Sequence, residues 1–171
     1  MPREGHLDHV IYMFSYLKSH HNSRSVLDPT YPDINMDYFK RHNWKKFYGD
    51  VRESIPTNTP RLIGKEFIIH AFVDADFAGD SLTRRSRSGF LVMLNSAPLF
   101  WFSKKQSSME TSSFGSEFVA MRQCCEYLKG LRYKLRMMGI PVNNPCFIYC
   151  DYQLVLWNTT VAGFIDRKSV V

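Results

Sequence analysis

The chain has 171 residues, 44% hydrophobic and 22% charged, which is enough to bury a core and excludes a disordered or collagen-like chain. Its 22 Lys and Arg against 16 Asp and Glu leave a net charge of +6, which suits a polyanionic partner without identifying one. No window approaches eighteen uninterrupted apolar residues and the first residues form no apolar leader core, so neither a membrane span nor secretion is expected.

In chain order, Leu7, Val10, Ile11, Phe14 and Leu17 recur at helical spacing and predict an amphipathic helix up to Lys18. Residues 22–64 hold Pro29, Pro32, Pro56 and Pro60, and read as a connector with at most a short helix around Met36 to Trp44. The run Phe67 to Val73 is almost continuously apolar and ends on Asp74, which predicts a buried strand. Gly89 to Leu94 is a second strand, Asn95 and Ser96 a turn, and Leu99 to Ser103 a third strand, together an antiparallel meander. Ser112 or Ser113 can cap a long helix running to about Met138, with Gly139 ending it and Pro141 just beyond. Its expected buried face is Phe118, Met121, Cys125, Leu128, Leu131 or the Arg132 stem, and Leu135. Cys146 to Cys150 is a fourth strand ending at Asp151, and a helix follows from Gln153. Three strands, a helix, a strand and a helix make an α/β layer with a mixed sheet.

Asp74 and Asp151 each end a predicted strand, where ligand sites in α/β sheets gather. Glu117 falls in the first turns of the long helix. If the first and fourth strands are neighbours and that helix crosses them, the three acids converge. Carboxylates so placed repel one another and need cations to stay ionised together. Hard oxygen ligands select Mg²⁺ or Mn²⁺, and two such ions about 3.5–4 Å apart clamp the attacking and leaving oxygens of a phosphodiester. An Asp at a strand end also serves as a turn or helix cap, which leaves each acid by itself ambiguous, and Asp76 and Asp80 read as turn residues.

Five blocks bear on that ambiguity. Val73-Asp74-Ala75-Asp76-Phe77-Ala78-Gly79-Asp80, Thr83 to Phe90, Trp101 to Gln106, Ser112 to Ala120, and Cys150-Asp151-Tyr152-Gln153 follow one another in order. Together they resemble the ribonuclease H region of copia-type retrotransposon polyproteins. Pro2 to His6 with Tyr16-Leu17-Lys18 resembles the segment closing the reverse transcriptase just upstream. The resemblance implies residues 1–21 as the last reverse-transcriptase helix, 22–64 as connector, and 65–171 as a ribonuclease-H-like domain. It implies an endonuclease that cuts the RNA strand of RNA–DNA hybrids with Mg²⁺ or Mn²⁺ held by Asp74, Glu117 and Asp151. It implies the upstream reverse-transcriptase domain as a partner, and a location in a cytoplasmic retroelement particle or the nucleus. Such proteins often carry Glu where Gly115 stands, and Asn-Gln-Ser where Tyr152-Gln153-Leu154 stand. They also have a further strand and a last helix bearing a fourth carboxylate. The segment Ala162 to Ser169 does not resemble that helix, so the expected fold is incomplete, with Asp166 too close in sequence to Asp151 to substitute. The alternative is an inactive truncated remnant that at most binds nucleic acid.

Between Ser81 and Met109 there is no acidic residue, while Arg84, Arg85, Arg87, Lys104 and Lys105 all fall there and are candidates for holding phosphates of the hybrid. Lys129, Arg132, Lys134 and Arg136 recur at helical spacing and are expected on a solvated face. His6, His9, His20 and His21 have no cysteine nearby, and Cys124, Cys125, Cys146 and Cys150 lack the spacing of a zinc ribbon and read as reduced thiols. No glycine-rich phosphate loop is present.

Overall fold

A computed structural model describes residues 4–22, 24, 26–39, 45–50, 53 and 55–160. Pro2, Arg3, Trp44 and Asp166, on which some of the sequence readings fall, lie outside the described residues. The described elements are α1 (Glu4–Ser19), a short 3-10 turn (Met36–Tyr38), α2 (Lys45–Tyr48), β1 (Ile69–Asp76), β2 (Arg87–Leu94), β3 (Ala97–Lys105), α3 (Ser113–Met137), β4 (Phe147–Cys150) and α4 (Gln153–Thr160). The molecule is an α/β protein with one four-stranded mixed sheet in the order β3-β2-β1-β4. β1, β2 and β3 form the expected antiparallel meander, and β4 joins β1 in parallel, with Val73 opposite Cys150.

Three strands run further than the apolar pattern predicts. β1 continues past Asp74 because Ala75 and Asp76 still pair with Ser88 and Arg87. β3 continues to Lys105, and Arg87, expected in the loop, opens β2 instead. Ladder hydrogen bonds do not require apolar side chains, so the charged ends of a hairpin stay in the sheet.

The core lies between one face of this sheet and α3. Ile69, Ala71 and Val73 from β1, Phe90 and Val92 from β2, and Ala120, Met121, Cys124, Leu128 and Leu135 from α3 are all buried, and Val155 of α4 closes one end. Phe72, read as part of a fully buried strand, is 47% exposed, because strand side chains alternate and α3 covers only the other face. On its own face Phe72 stacks on Tyr149, and Phe39 of the connector packs edge-on against Phe147 and Tyr149.

α3 is capped by Ser112, whose hydroxyl accepts from the Gly115 N–H at 3.1 Å, and it stops before Gly139, which takes a φ of 77° that an L side chain would find strained. Met121, Leu128 and Leu135 are buried as expected, but the rest of the stripe differs. Glu117, Ala120 and Cys124 face inward, whereas Phe118 is 42% exposed and Cys125 is exposed. The expected solvated face from Lys129 to Arg136 holds for Lys129 and Lys134 and is revised for the two arginines. Arg136 is buried and pairs with Glu53 at 2.5 Å, and Arg132, one turn earlier, pairs with the same carboxylate at 3.1 Å. Those two arginines bind the connector to α3. The two guanidinium groups hold the Glu53 carboxyl below its usual range, Arg136 contributing most.

The connector makes further bonds to the sheet. Ser96 N–H donates to the Thr30 carbonyl, Asn95 Nδ2 to the Pro29 carbonyl, and Tyr31 O–H to the Glu66 carbonyl. The apolar stripe of α1 (Leu7, Val10, Ile11, Phe14 and Leu17) is exposed.

Candidate metal centre

Parallel pairing of β1 and β4 settles where the two strand-end acids lie. Because Val73 is opposite Cys150, the next residue on each strand is a carboxylate, Asp74 and Asp151, at the same end of the sheet. Glu117 reaches that end from the second turn of α3, and it is buried at 6% exposure.

The helix is fixed over the sheet by Gln106, which is itself fully buried. Its side-chain amide donates to Ser88 Oγ at 3.0 Å and to the Ser116 carbonyl at 2.9 Å, while its backbone N–H donates to the Ser86 carbonyl at 2.8 Å. One residue thus joins β2, the end of β3 and the first turn of α3 beside Glu117. On the other side Tyr152, where the resemblance implies Asn, shares a hydrogen bond with Ser113 at 3.1 Å.

Burial pushes the Glu117 carboxyl up to about 7, the charge of Asp74 and then that of Asp151 adding to it and the Ala75 backbone N–H opposing them. Its Oε2 is buried with no hydrogen-bond partner. Glu117, Cys150 and Asp151 bring a carboxylate oxygen, a sulfur and a carboxylate oxygen within 4.8 Å of one another, a group of a kind found nowhere else among the described residues. Asp74 stands outside this tightest group but acts on it through its charge. Cys150 was missed by sequence reasoning, which tested the cysteines only against zinc-ribbon spacing. Its signal was its place immediately before Asp151 on a predicted strand.

The basic residues gather at the same end of the sheet. Arg87 of β2 lies between Asp76 of β1 and Lys105 of β3, and Ser88 is opposite Lys104. Arg84, Arg85, Arg87, Lys104 and Lys105 are all exposed. A cleft of about 310 Å³ is lined by Asp76, Asp80, Arg85, Arg87 and Lys105. Lys105 is partly committed: it pairs with Asp80 at 2.7 Å, and this bond, with those from Thr83 and Leu82, holds the Asp80 carboxyl far below its usual range. Asp80 is therefore the turn residue the sequence suggests.

No family model matches the chain, and no solved structure matches it. The chain is similar, at 35% identity over 88 residues, to the retrovirus-related Pol polyprotein from transposon RE2 of Arabidopsis thaliana. That stretch is 52% of this chain and 6% of the polyprotein. The corresponding polyprotein from transposon TNT 1-94 of Nicotiana tabacum is 29% identical over 90 residues, 53% of this chain and 7% of its own length. Secreted RxLR effector protein 161 of Plasmopara viticola is 36% identical over 78 residues, 46% of this chain and 50% of the effector. Across about half its length the chain is thus related to retrotransposon Pol polyproteins, as its five sequence blocks imply.

Proposed function

We propose that this chain carries a divalent-metal-dependent ribonuclease H that cuts the RNA strand of RNA–DNA hybrids during retrotransposon reverse transcription. The observation that carries the reading is Glu117 Oε2, buried without a donor, at a strand end shared with Asp151 and within the field of Asp74. A buried unpartnered carboxylate oxygen is costly, and a cation among these acids removes that cost. Carboxylate oxygens are the donors Mg²⁺ and Mn²⁺ prefer, so the residues fit the ion. The strand order β3-β2-β1-β4, with β4 parallel to β1 and α3 across them, supports a ribonuclease-H-like fold. On this reading the chain works beside an upstream reverse-transcriptase domain, in a cytoplasmic retroelement particle or the nucleus.

Asp74, Glu117 and Asp151 would hold the metal. When bound, it supplies Lewis-acid polarisation of the phosphate and a more acidic water. The remaining work belongs to the chain. Gln106 fixes the helix turn that carries Glu117. Arg84, Arg85, Arg87, Lys104 and Lys105 would bind successive phosphates without reading sequence, and the 2′-hydroxyls distinguish the RNA strand.

A second reading, binding without cutting, is favoured by the basic cleft, which needs no metal to attract a hybrid. Incubation of the chain with end-labelled hybrid and Mg²⁺ or Mn²⁺ separates the two. Shortening of the RNA strand with the DNA strand intact is expected. Retention of uncut hybrid by folded protein would leave the binding reading in its place.

A further inference from the structure

We propose that Cys150 is a further metal ligand of this site, completing with Glu117 and Asp151 a mixed sulfur and carboxylate set that takes Zn²⁺ or Cd²⁺ in place of Mg²⁺. The inference rests on the reading that these carboxylates hold a divalent cation, and it adds a choice of ion that three carboxylates by themselves do not make.

Cys150 ends β4 on the face that packs against the core, half-buried and opposite Val73. That position directs its thiol toward the helix from which Glu117 descends, and the sulfur lies within 4.8 Å of the carboxylate oxygens of Glu117 and Asp151. The unpartnered Oε2 of Glu117, a residue more than nine-tenths buried, is the independent sign that this spot awaits a positive group. Donors around a tetrahedral zinc stand about 3.5 Å apart, given metal–sulfur and metal–oxygen distances of about 2.3 and 2.1 Å, so small side-chain rotations close the set. Mg²⁺ avoids sulfur, whereas Zn²⁺ and Cd²⁺ gain from it. The other thiols are placed differently. Cys124 is fully buried in the core, Cys146 accepts from Arg132, and Cys125 is exposed on α3. Among the described residues the thiophilic ion therefore has one such site, and occupying it displaces Mg²⁺ from Glu117 and Asp151.

The test titrates the reduced, metal-free full chain with cadmium chloride while the sulfur-to-cadmium charge-transfer absorption is followed. One equivalent should saturate the band, Cys150→Ser should abolish it, and Cys125→Ser should retain it. Glu117→Gln should weaken cadmium binding by about 10–100-fold, as loss of a supporting ligand does. Alkylation of the unmutated chain, mapped by mass, gives the same answer without a variant: cadmium should slow modification of Cys150 at least about tenfold and leave Cys125 unaffected. A band that survives in Cys150→Ser, or a Cys150 whose alkylation ignores cadmium, overturns the proposal. Mg²⁺-supported hybrid cleavage is measured on the same preparation. Cleavage without a Cys150 band sinks the sulfur ligand while the nuclease reading stands; a Cys150 band without cleavage does the reverse.

Discussion

The side-chain amide of Gln106 donates to the Ser116 carbonyl at 2.9 Å, and so the turn of α3 that carries Glu117 is tied to the residue just past the end of β3. Glu117 Oε2 is buried there without a hydrogen-bond partner. Burial, and then the neighbouring charges of Asp74 and Asp151, sets the acidity of Glu117.

A dependence of stability on pH follows. Glu117 titrates at about 7 in the folded chain against an ordinary 4.5, so between those values the folded state keeps a proton that the unfolded state has released. Stability contributed through Glu117 is therefore complete below about 4.5 and falls as pH rises through 7. Relative to Glu117→Gln, which has no proton to lose, the native chain should lose several degrees of melting temperature between pH 5 and pH 8, since about 1 kcal/mol corresponds to 2–4 °C at this size. Mg²⁺ at pH 8 should restore the native chain and not the variant. Thermal melts of both proteins across that range check this, and parallel pH curves would contradict it.

The inward face of α3 gives a paired prediction. Leu128 is 3% exposed in the core and Phe118 is 42% exposed. Leu128→Ala should cost about 2–5 kcal/mol in urea denaturation, as buried leucines do. Phe118→Ala should cost under about 1 kcal/mol, because there is little cavity to leave.

That same helix shows what the sequence made legible and what it did not. The strands, the Ser112 cap and the Gly139 stop follow from local signals, and Asp74 and Asp151 are readable because an apolar run ends at each. The inward stripe is legible at Met121, Leu128 and Leu135 and misread at its N-terminal part, because it contains Glu117 itself. A periodic search for apolar residues steps over a buried carboxylate and settles on Phe118 and Cys125, one residue along. Arg132 and Arg136 read as solvent-facing because their partner, Glu53, lies 79 residues from Arg132, beyond any local pattern. Cys150 is marked in the sequence only by its place before Asp151, because it is the pairing of β4 with β1 that brings its sulfur against Glu117 and Asp151.

The two basic groups should therefore part in experiment. Replacing Arg84, Arg85 and Arg87 together with Ala should weaken hybrid binding about equally for all sequences. The slope of log affinity against log salt should flatten by about 0.7–0.9 for each phosphate no longer neutralised. Fluorescence anisotropy at several salt concentrations measures it, and an unchanged slope would remove these arginines from the interface.

Arg136→Ala should behave oppositely. Losing the guanidinium that pairs with Glu53 and donates to the Val142 carbonyl should lower stability by about 1–3 kcal/mol. The salt slope of hybrid binding should remain as in the native chain. A flattened slope would place Arg136 at the nucleic acid rather than at the connector.

The proposed metal-dependent nuclease site is made by Asp74, Glu117 and Asp151 together. It is tested most directly by cleavage of an end-labelled RNA–DNA hybrid by the native chain and by Asp74→Asn, each verified as folded by circular dichroism. Mg²⁺- or Mn²⁺-dependent cutting of the RNA strand is expected, falling by at least about a hundredfold in Asp74→Asn, comparable to losing a principal electrostatic contribution. Equal cutting by both proteins, or none by the folded native chain, would contradict it.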